Sequence, residues 1–152
     1  MSSEPQQILI VTGRFYTEIS DMLVAGAKRA LEAAGGVCDV VEVPGAFEIP
    51  AAILYAAEGS AWAKSYDGYV ALGCVIRGET THYDYVCSES ARGLMDLALG
   101  RKLAIGYGIL TTETWEQAVV RADPQQKDKG GDAMRACLAM AALKNRFAGR
   151  QR

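Results

Sequence analysis

The sequence holds a single histidine, His82, among 152 residues. There is no second imidazole, and Cys38, Cys74, Cys87 and Cys137 form no C-x-x-C pair, so a transition-metal site lacks a ligand set. No transition metal is expected. Three of the four cysteines sit inside apolar periodic segments, which reads as buried free thiols in a reducing compartment. Long hydrophobic runs are missing too: none reaches the length needed to cross a bilayer, so no membrane partner is expected. The first residues, MSSEPQQ, lack the basic and apolar regions of a signal peptide, and a cytoplasmic protein is the expectation. Basic charge is not in excess. The formal net charge is −2, and the basic gathering of Arg121, Lys127, Lys129 and Arg135 is local rather than a face, so no nucleic-acid partner is expected. Also absent are G-x-x-x-x-G-K-[ST] and, after the first apolar run, G-x-G-x-x-G. Nucleoside triphosphate and dinucleotide readings lose support accordingly.

What is present is an ordinary globular composition, 50% apolar and 22% charged, in a length that suits one domain with a sizeable core. Residues 1–152 are read as a single domain whose first seven residues are expected to be flexible. The hydrophobic pattern alternates between two periods. Ile8–Thr12 is a continuous apolar run, as in a strand buried on both faces. Glu18–Ala34 has helical spacing and stops at Gly35-Gly36. Val40–Val43 is a short second strand broken by Pro44-Gly45, and Phe47–Ala57 is a helix entered through a turn. Tyr69–Val75 is a third strand and Asp84–Leu99 a helix. Leu103–Leu110 is a fourth strand in spite of Gly106 and Gly108. A helix begins over Thr114–Val120, the polar stretch RADPQQKDKGG reads as a loop, and a last helix covers Asp132–Phe147. Alternation of this kind predicts parallel βαβ units with right-handed crossovers. The expected fold is α/β, a three-layer αβα sandwich of the flavodoxin-like kind around a parallel sheet of four to five strands.

Ligands of such sheets bind beyond the carboxyl ends of the strands, and the least generic stretches fall there: TGRFY, VPGAFEIP, VIRGETTHYDYV and GILTTET. One composite site is predicted, with an anionic small molecule as its ligand. Gly78 to Thr81 lead into a helix whose free N–H groups suit a phosphate; Thr80 or Thr81 would equally serve as an ordinary cap. His82, in the first turn, is either a proton carrier beside that anion or a surface histidine. Phe15 and Phe47 would form a stacking wall for a flat heterocycle or plug the sheet ends. Glu48 would bind ligand hydroxyls or favour a helix start. Arg121, Lys127 and Lys129 would clamp a phosphate or form a solvated basic loop. Arg77 reads better as a structural ion pair, and Cys74 is given no catalytic role.

VPGAFEIP and GCVIRGETTHYDYV carry a further signal. Together with L-T-T-x-T-x-E-Q-A, and in this order, they resemble lumazine synthase, an enzyme family of riboflavin biosynthesis, and the similarity runs from Gly13-Arg14-Phe15 to the final helix. The resemblance implies condensation of 5-amino-6-ribitylamino-uracil with 3,4-dihydroxy-2-butanone 4-phosphate to 6,7-dimethyl-8-ribityllumazine, with loss of phosphate and water and no cofactor. It implies that Phe15 stacks on the pyrimidine, with Phe47 beside it, and that Ala46 and Glu48 meet the ribityl chain. Val75 and Ile76 would present backbone groups near the ring, Glu79 and Thr80 would offer N–H groups to the phosphate, and His82 would shuttle protons. Family sites lie between neighbouring subunits of a homopentamer, alone or assembled further, so Tyr107, Arg121 and Lys129 would come from the adjacent chain.

Two positions depart from the family pattern. Tyr16 stands where Asn often follows Arg-Phe, and Asp128 replaces Asn in Asn-Lys-Gly. The stretch EGSAWAKSYDG is slightly long, and Trp62 within it is read as an assembly contact or a lid on the core. Two other classes compete with the enzyme: a non-catalytic flavin- or lumazine-binding module, and a shell-forming structural protein on the same fold.

Overall fold

The computed structural model describes residues 4–59 and 65–149. Trp62 lies outside the described residues. Among those described, four strands alternate with five α-helices: β1 (Gln7–Gly13), α1 (Thr17–Ala33), β2 (Val37–Val43), a 3₁₀ turn (Ala46–Glu48), α2 (Ile49–Glu58), β3 (Gly68–Ile76), α3 (His82–Gly100), β4 (Ile105–Thr112), α4 (Trp115–Ala122) and α5 (Lys129–Phe147). The sheet is parallel throughout, in the order β2-β1-β3-β4. This is the α/β architecture that the alternating periods predict.

Side-chain alternation along the central strands sorts the core into two layers. Ile8 and Ile10 of β1 join Val70, Leu72 and Cys74 of β3 beneath α1, α4 and α5, where Leu23, Ala118 and Met134 pack. Leu9 and Val11 face the other way with Tyr69, Ala71 and Val75, against Ile49 and Ile53 of α2 and Leu94 and Leu97 of α3. Both faces of β1 and β3 are covered, so Ile8–Val11 and Gly68–Ile76 are runs of consecutive rather than alternating apolar residues. β2 is an edge strand, and Val37, Val40 and Val41 remain exposed on it.

The strand registers shape the carboxyl edge. β1 pairs with β2 as far as Gly13↔Val43, but with β3 only as far as Thr12↔Leu72. β3 continues alongside β4 to Ile76↔Thr112. From Gly73 to Ile76 the β1-facing edge of β3 therefore has no strand partner. Strand order also reverses between β1 and β3, which is where open α/β sheets hold ligands.

Some boundaries move relative to the sequence pattern. β2 starts three residues before Val40, because pairing runs the length of β1. The loop between α4 and α5 is shorter than RADPQQKDKGG suggests: Arg121 stays in α4 and Lys129 already begins α5. The cause is Asp128, which adopts the left-handed conformation (φ 48°) and accepts a hydrogen bond from the Gly131 N–H at 3.2 Å. That cap starts the helix early, and Gly130-Gly131 follow inside it because α1 comes close: a Cβ on Gly130 would collide with the Leu23 carbonyl oxygen. A solvated basic loop is thus excluded for Arg121 and Lys129.

Glycine within β4 has the same kind of cause. A Cβ on Gly106 would strike the backbone carbonyl of Ala133, so α5 rides directly on the strand there. Gly106→Ala is expected to destabilise the fold by about 1–3 kcal/mol through overpacking. Denaturant unfolding of the variant beside the parent checks this; an unchanged midpoint would mean that α5 shifts without cost.

Candidate functional site

A cavity of about 660 Å³ opens where β1 and β3 part. The turn after β1 contributes Phe15 and Tyr16, and the segment after β2 contributes Pro44 to Glu48. The end of β3 supplies Cys74, Val75 and Ile76, and the first turn of α3 supplies His82, Tyr85 and Val86. The last three are spaced i, i+3, i+4, so one face of α3 looks into the space. Three of the four predicted strand exits therefore meet in one concavity.

The two phenylalanines are not plugs. Phe15 is 75% and Phe47 59% exposed, so their rings stand at the cavity wall rather than in the core. Ala46 and Val75 are nearly buried and form its apolar floor. Glu48 is exposed, lines the cavity and makes no side-chain cap to α2. His82 is exposed at the start of α3, and its backbone N–H donates to Thr80 Oγ1 at 3.3 Å. Thr80 thus does part of the capping work, whereas Thr81 makes no side-chain cap. Glu79 and Thr80 sit in the exposed loop just before α3 and do not line the cavity. Among the described residues neither of their N–H groups has a protein acceptor.

Arg77 anchors that loop. Its Nε donates to both Glu113 oxygens at 3.0 Å, Nη2 reaches Asp84 at 3.4 Å, and the guanidinium lies 4.3 Å from the Tyr83 ring centre. The structural reading of Arg77 holds: it ties the β3–α3 loop to the β4–α4 turn. Glu113, whose N–H also takes the Gln117 side chain as acceptor at 2.8 Å, is a part of this support that the sequence reading passed over. Its only signal in the sequence was the polar TTET run.

Tyr107, Arg121 and Lys129 lie elsewhere. They line a second cavity of about 540 Å³ at the β4 edge, with Thr111 and Asp132, and it shares no lining residue with the first. Arg121 Nη1 donates to the Gln117 carbonyl at 3.0 Å, and no carboxylate pairs with it among the described residues. Lys129 Nζ is 3.4 Å from Asp132. A hydrogen bond from Arg135 chiefly, with Lys129 adding to it, holds the Asp132 carboxyl below its usual range. Lys127 is exposed and lines neither cavity.

The match to known proteins covers nearly all of the chain. Residues 5–145 fit the family model described as 6,7-dimethyl-8-ribityllumazine synthase. The chain belongs to this family. A relative from Rhizobium meliloti, 6,7-dimethyl-8-ribityllumazine synthase 1, is 56% identical over 145 residues, 95% of each chain. Relatives from Zymomonas mobilis and Novosphingobium aromaticivorans, both named 6,7-dimethyl-8-ribityllumazine synthase, are each 56% identical over 141 residues, covering 93% of this chain and 98% of theirs. The resemblance carried by VPGAFEIP and VIRGETTH is thus a family relationship.

Of the cavity-lining groups, Cys74 invites a nucleophilic reading because a thiol borders the space. Burial, above all, and the neighbouring Cys87 push its thiol up to about 12, against the opposing hydrogen bond with Thr112. Burial does the same to Cys137, also to about 12. The reactive species is the thiolate, and at neutral pH neither side chain supplies it. Alkylation at pH 8 is expected to spare Cys74 and Cys137 in the folded protein and to label all four cysteines after denaturation, as read by peptide mass spectrometry. Rapid labelling of Cys74 in the folded state would contradict its inertness.

Proposed function

We propose that the cavity between β1 and β3 receives the pyrimidine substrate of the family's reaction, and that a second copy of the chain completes it. The protein condenses 5-amino-6-ribitylamino-uracil with 3,4-dihydroxy-2-butanone 4-phosphate to 6,7-dimethyl-8-ribityllumazine. One observation carries the assignment: the only histidine of the chain, an exposed aromatic wall and a carboxylate line the same concavity at the strand-order reversal.

The reaction asks for particular parts. The 5-amino group attacks the ketone, and water leaves to give an imine. Loss of the proton from C3, next to the imine carbon, gives an enol that expels phosphate from C4. The resulting C3 carbonyl is attacked by the ribityl-bearing nitrogen, which closes the second ring with loss of a second water. Holding both substrates in one cavity supplies much of the rate. Phe15 stacks on the pyrimidine and Phe47 lies beside it. Ala46 and Glu48 meet the ribityl chain, Glu48 accepting hydrogen bonds from its hydroxyls. Val75 and Ile76 offer backbone groups at the end of β3, where the β1-facing edge has no strand partner among the described residues, which supports that use. His82 moves protons between carbinolamine, imine and enol. The Glu79 and Thr80 N–H groups, at the positive end of α3, receive the phosphate.

A homo-oligomer is supported by the remaining cations. Tyr107, Arg121 and Lys129 stand on a different surface of the same chain from His82. They reach the substrates if the β4 edge of one subunit faces the β1–β3 crevice of the next. Arg121, without a carboxylate partner among the described residues, is the cation available for phosphate, and Lys129 lies near the pyrimidine. A closed ring of such contacts, the pentamer of the family or an assembly of pentamers, gives every site both halves.

Turnover is to be measured with both substrates and no metal or nucleotide, by lumazine absorbance against an enzyme-free control. His82→Ala is expected to lower kcat by about 10²-fold or more with little change in KM. Arg121→Ala is expected to raise chiefly the KM for the phosphate substrate. At a phosphate-substrate concentration too low for Arg121→Ala to turn over well, co-refolding the two variants should recover part of the parental rate, because mixed oligomers contain sites with both residues intact. Absence of recovery in oligomers shown to be mixed would sink the shared site. Tight binding of the pyrimidine by the parent without any turnover would instead select a binding protein.

A further inference from the structure

Tyr16 breaks a local rule. It occupies the N-cap position of α1 (φ −110°, ψ 93°), where Ser, Thr, Asp or Asn would accept a backbone N–H, and it makes no side-chain cap bond. A helix start without its cap is a cost of the kind proteins carry at functional sites. The ring does something else. It meets Phe15 edge-on, with centres 4.8 Å apart and planes at 77°, and it also meets Trp115 at 5.9 Å and 67°. It packs against the core layer under α1, α4 and α5, and it also lines the cavity.

Trp115 is well founded. It is the first residue of α4, whose N-terminus is capped by Thr114 Oγ1 accepting from the Gln117 N–H at 3.2 Å. Thr112 Oγ1 donates to the Thr114 carbonyl at 3.0 Å, and Glu113 in the same turn is held by Arg77. A row of three rings thus runs from a fixed helix start to Phe15, and Tyr16 is the ring that touches it. Without that contact, a phenylalanine 75% exposed on a turn would exchange rotamers freely.

We propose that Tyr16 and Trp115 are positioning residues that hold the Phe15 ring for stacking on a flat heterocycle, so that the turn after β1 selects the pyrimidine substrate. The inference rests on the placement of that substrate against Phe15. Edge-to-face contacts have the geometry that aromatic rings favour. An ordered wall binds more tightly than one that must be ordered by its ligand. Trp115 does not line the cavity, so any effect it has on the pyrimidine passes through Tyr16 and Phe15.

The test is steady-state kinetics with each substrate varied in turn, on Trp115→Ala, Tyr16→Ala, Tyr16→Phe, Phe15→Ala and the Phe15→Ala/Trp115→Ala double variant. Trp115→Ala and Tyr16→Ala are expected to raise the KM for the pyrimidine about three- to tenfold, with the KM for the phosphate substrate holding. Tyr16→Phe should recover what Tyr16→Ala loses, since the ring and not the hydroxyl makes the contacts. In the Phe15→Ala background, removing Trp115 should add nothing. Equal changes in both KM values, or full additivity in the double variant, would overturn the brace and leave a general structural role. A raised pyrimidine KM in Phe15→Ala with no response to Trp115→Ala would remove the brace alone. An unchanged KM in Phe15→Ala would remove the stacking assignment itself.

Discussion

Everything in this molecule follows from β1 pairing on both sides and then letting go of one side first. Its residues from Ile8 to Val11 are buried on both faces and bind the two core layers into one sheet. It stays with β2 to Gly13 and leaves β3 after Thr12. A parallel strand that parts from its neighbour exposes main-chain groups and a concave floor together, without a loop having to be built for either. Phe15, Phe47 and His82 come from chain segments far apart in sequence. They converge because each follows a strand that ends at this opening.

That geometry explains what was legible beforehand. Strand and helix identity could be read because β1 and β3 are covered on both faces and are mostly apolar, the buried Thr12 being paired with Ser20, while the helices bury one stripe. The exits of β1, β2 and β3 were recognisable as a site because Gly, Arg, Glu, Thr and aromatics follow apolar runs that have no structural need of them. Less visible was anything set by one close approach. Asp128 looked like part of a polar loop, since nothing local says that its carboxylate will cap α5 in a left-handed turn. Gly106 and Gly108 counted against β4 when the reason for them was close approach, of α5 at Gly106 and of Leu72 together with α5 at Gly108. The separation of Tyr107, Arg121 and Lys129 from His82 could not be read from spacing at all. It was implied by resemblance, and one chain accommodates it as two cavities with no lining residue in common.

Electrostatics divides the labour between those cavities. At the first, the charged groups are few, and the strong cation nearby, Arg77, is spent on Glu113 and Asp84. It stiffens the loop bearing Glu79 and Thr80 and is not free to serve as a ligand. At the second, no carboxylate pairs with Arg121 among the described residues, whereas Lys129 is held by Asp132 and its helix is capped by Asp128. Asp128 is bridged in turn by Arg29 of α1 at 3.5 Å and Arg135 at 3.6 Å, and Arg29 also donates to the Pro124 carbonyl at 2.9 Å. An aspartate in place of the usual asparagine keeps the capping oxygen and adds a charge, and both of its arginine partners are present. The change therefore reads as compensated, and it fixes the helix from which Lys129 projects.

The two departures from the family pattern are thus of different kinds. Asp128 satisfies its local rule and strengthens it with ion pairs. Tyr16 gives its rule up, leaving α1 uncapped while its ring stands between Phe15 and Trp115. When a residue forgoes an available backbone hydrogen bond, the lost stability of about 1 kcal/mol needs an offset. Core packing of part of the Tyr16 ring provides some of it. Packing alone, however, would not call for a ring whose exposed side borders the cavity and touches the most exposed aromatic of its wall. The position makes better sense as a compromise between the start of a helix and the order of a binding surface, decided in favour of the surface.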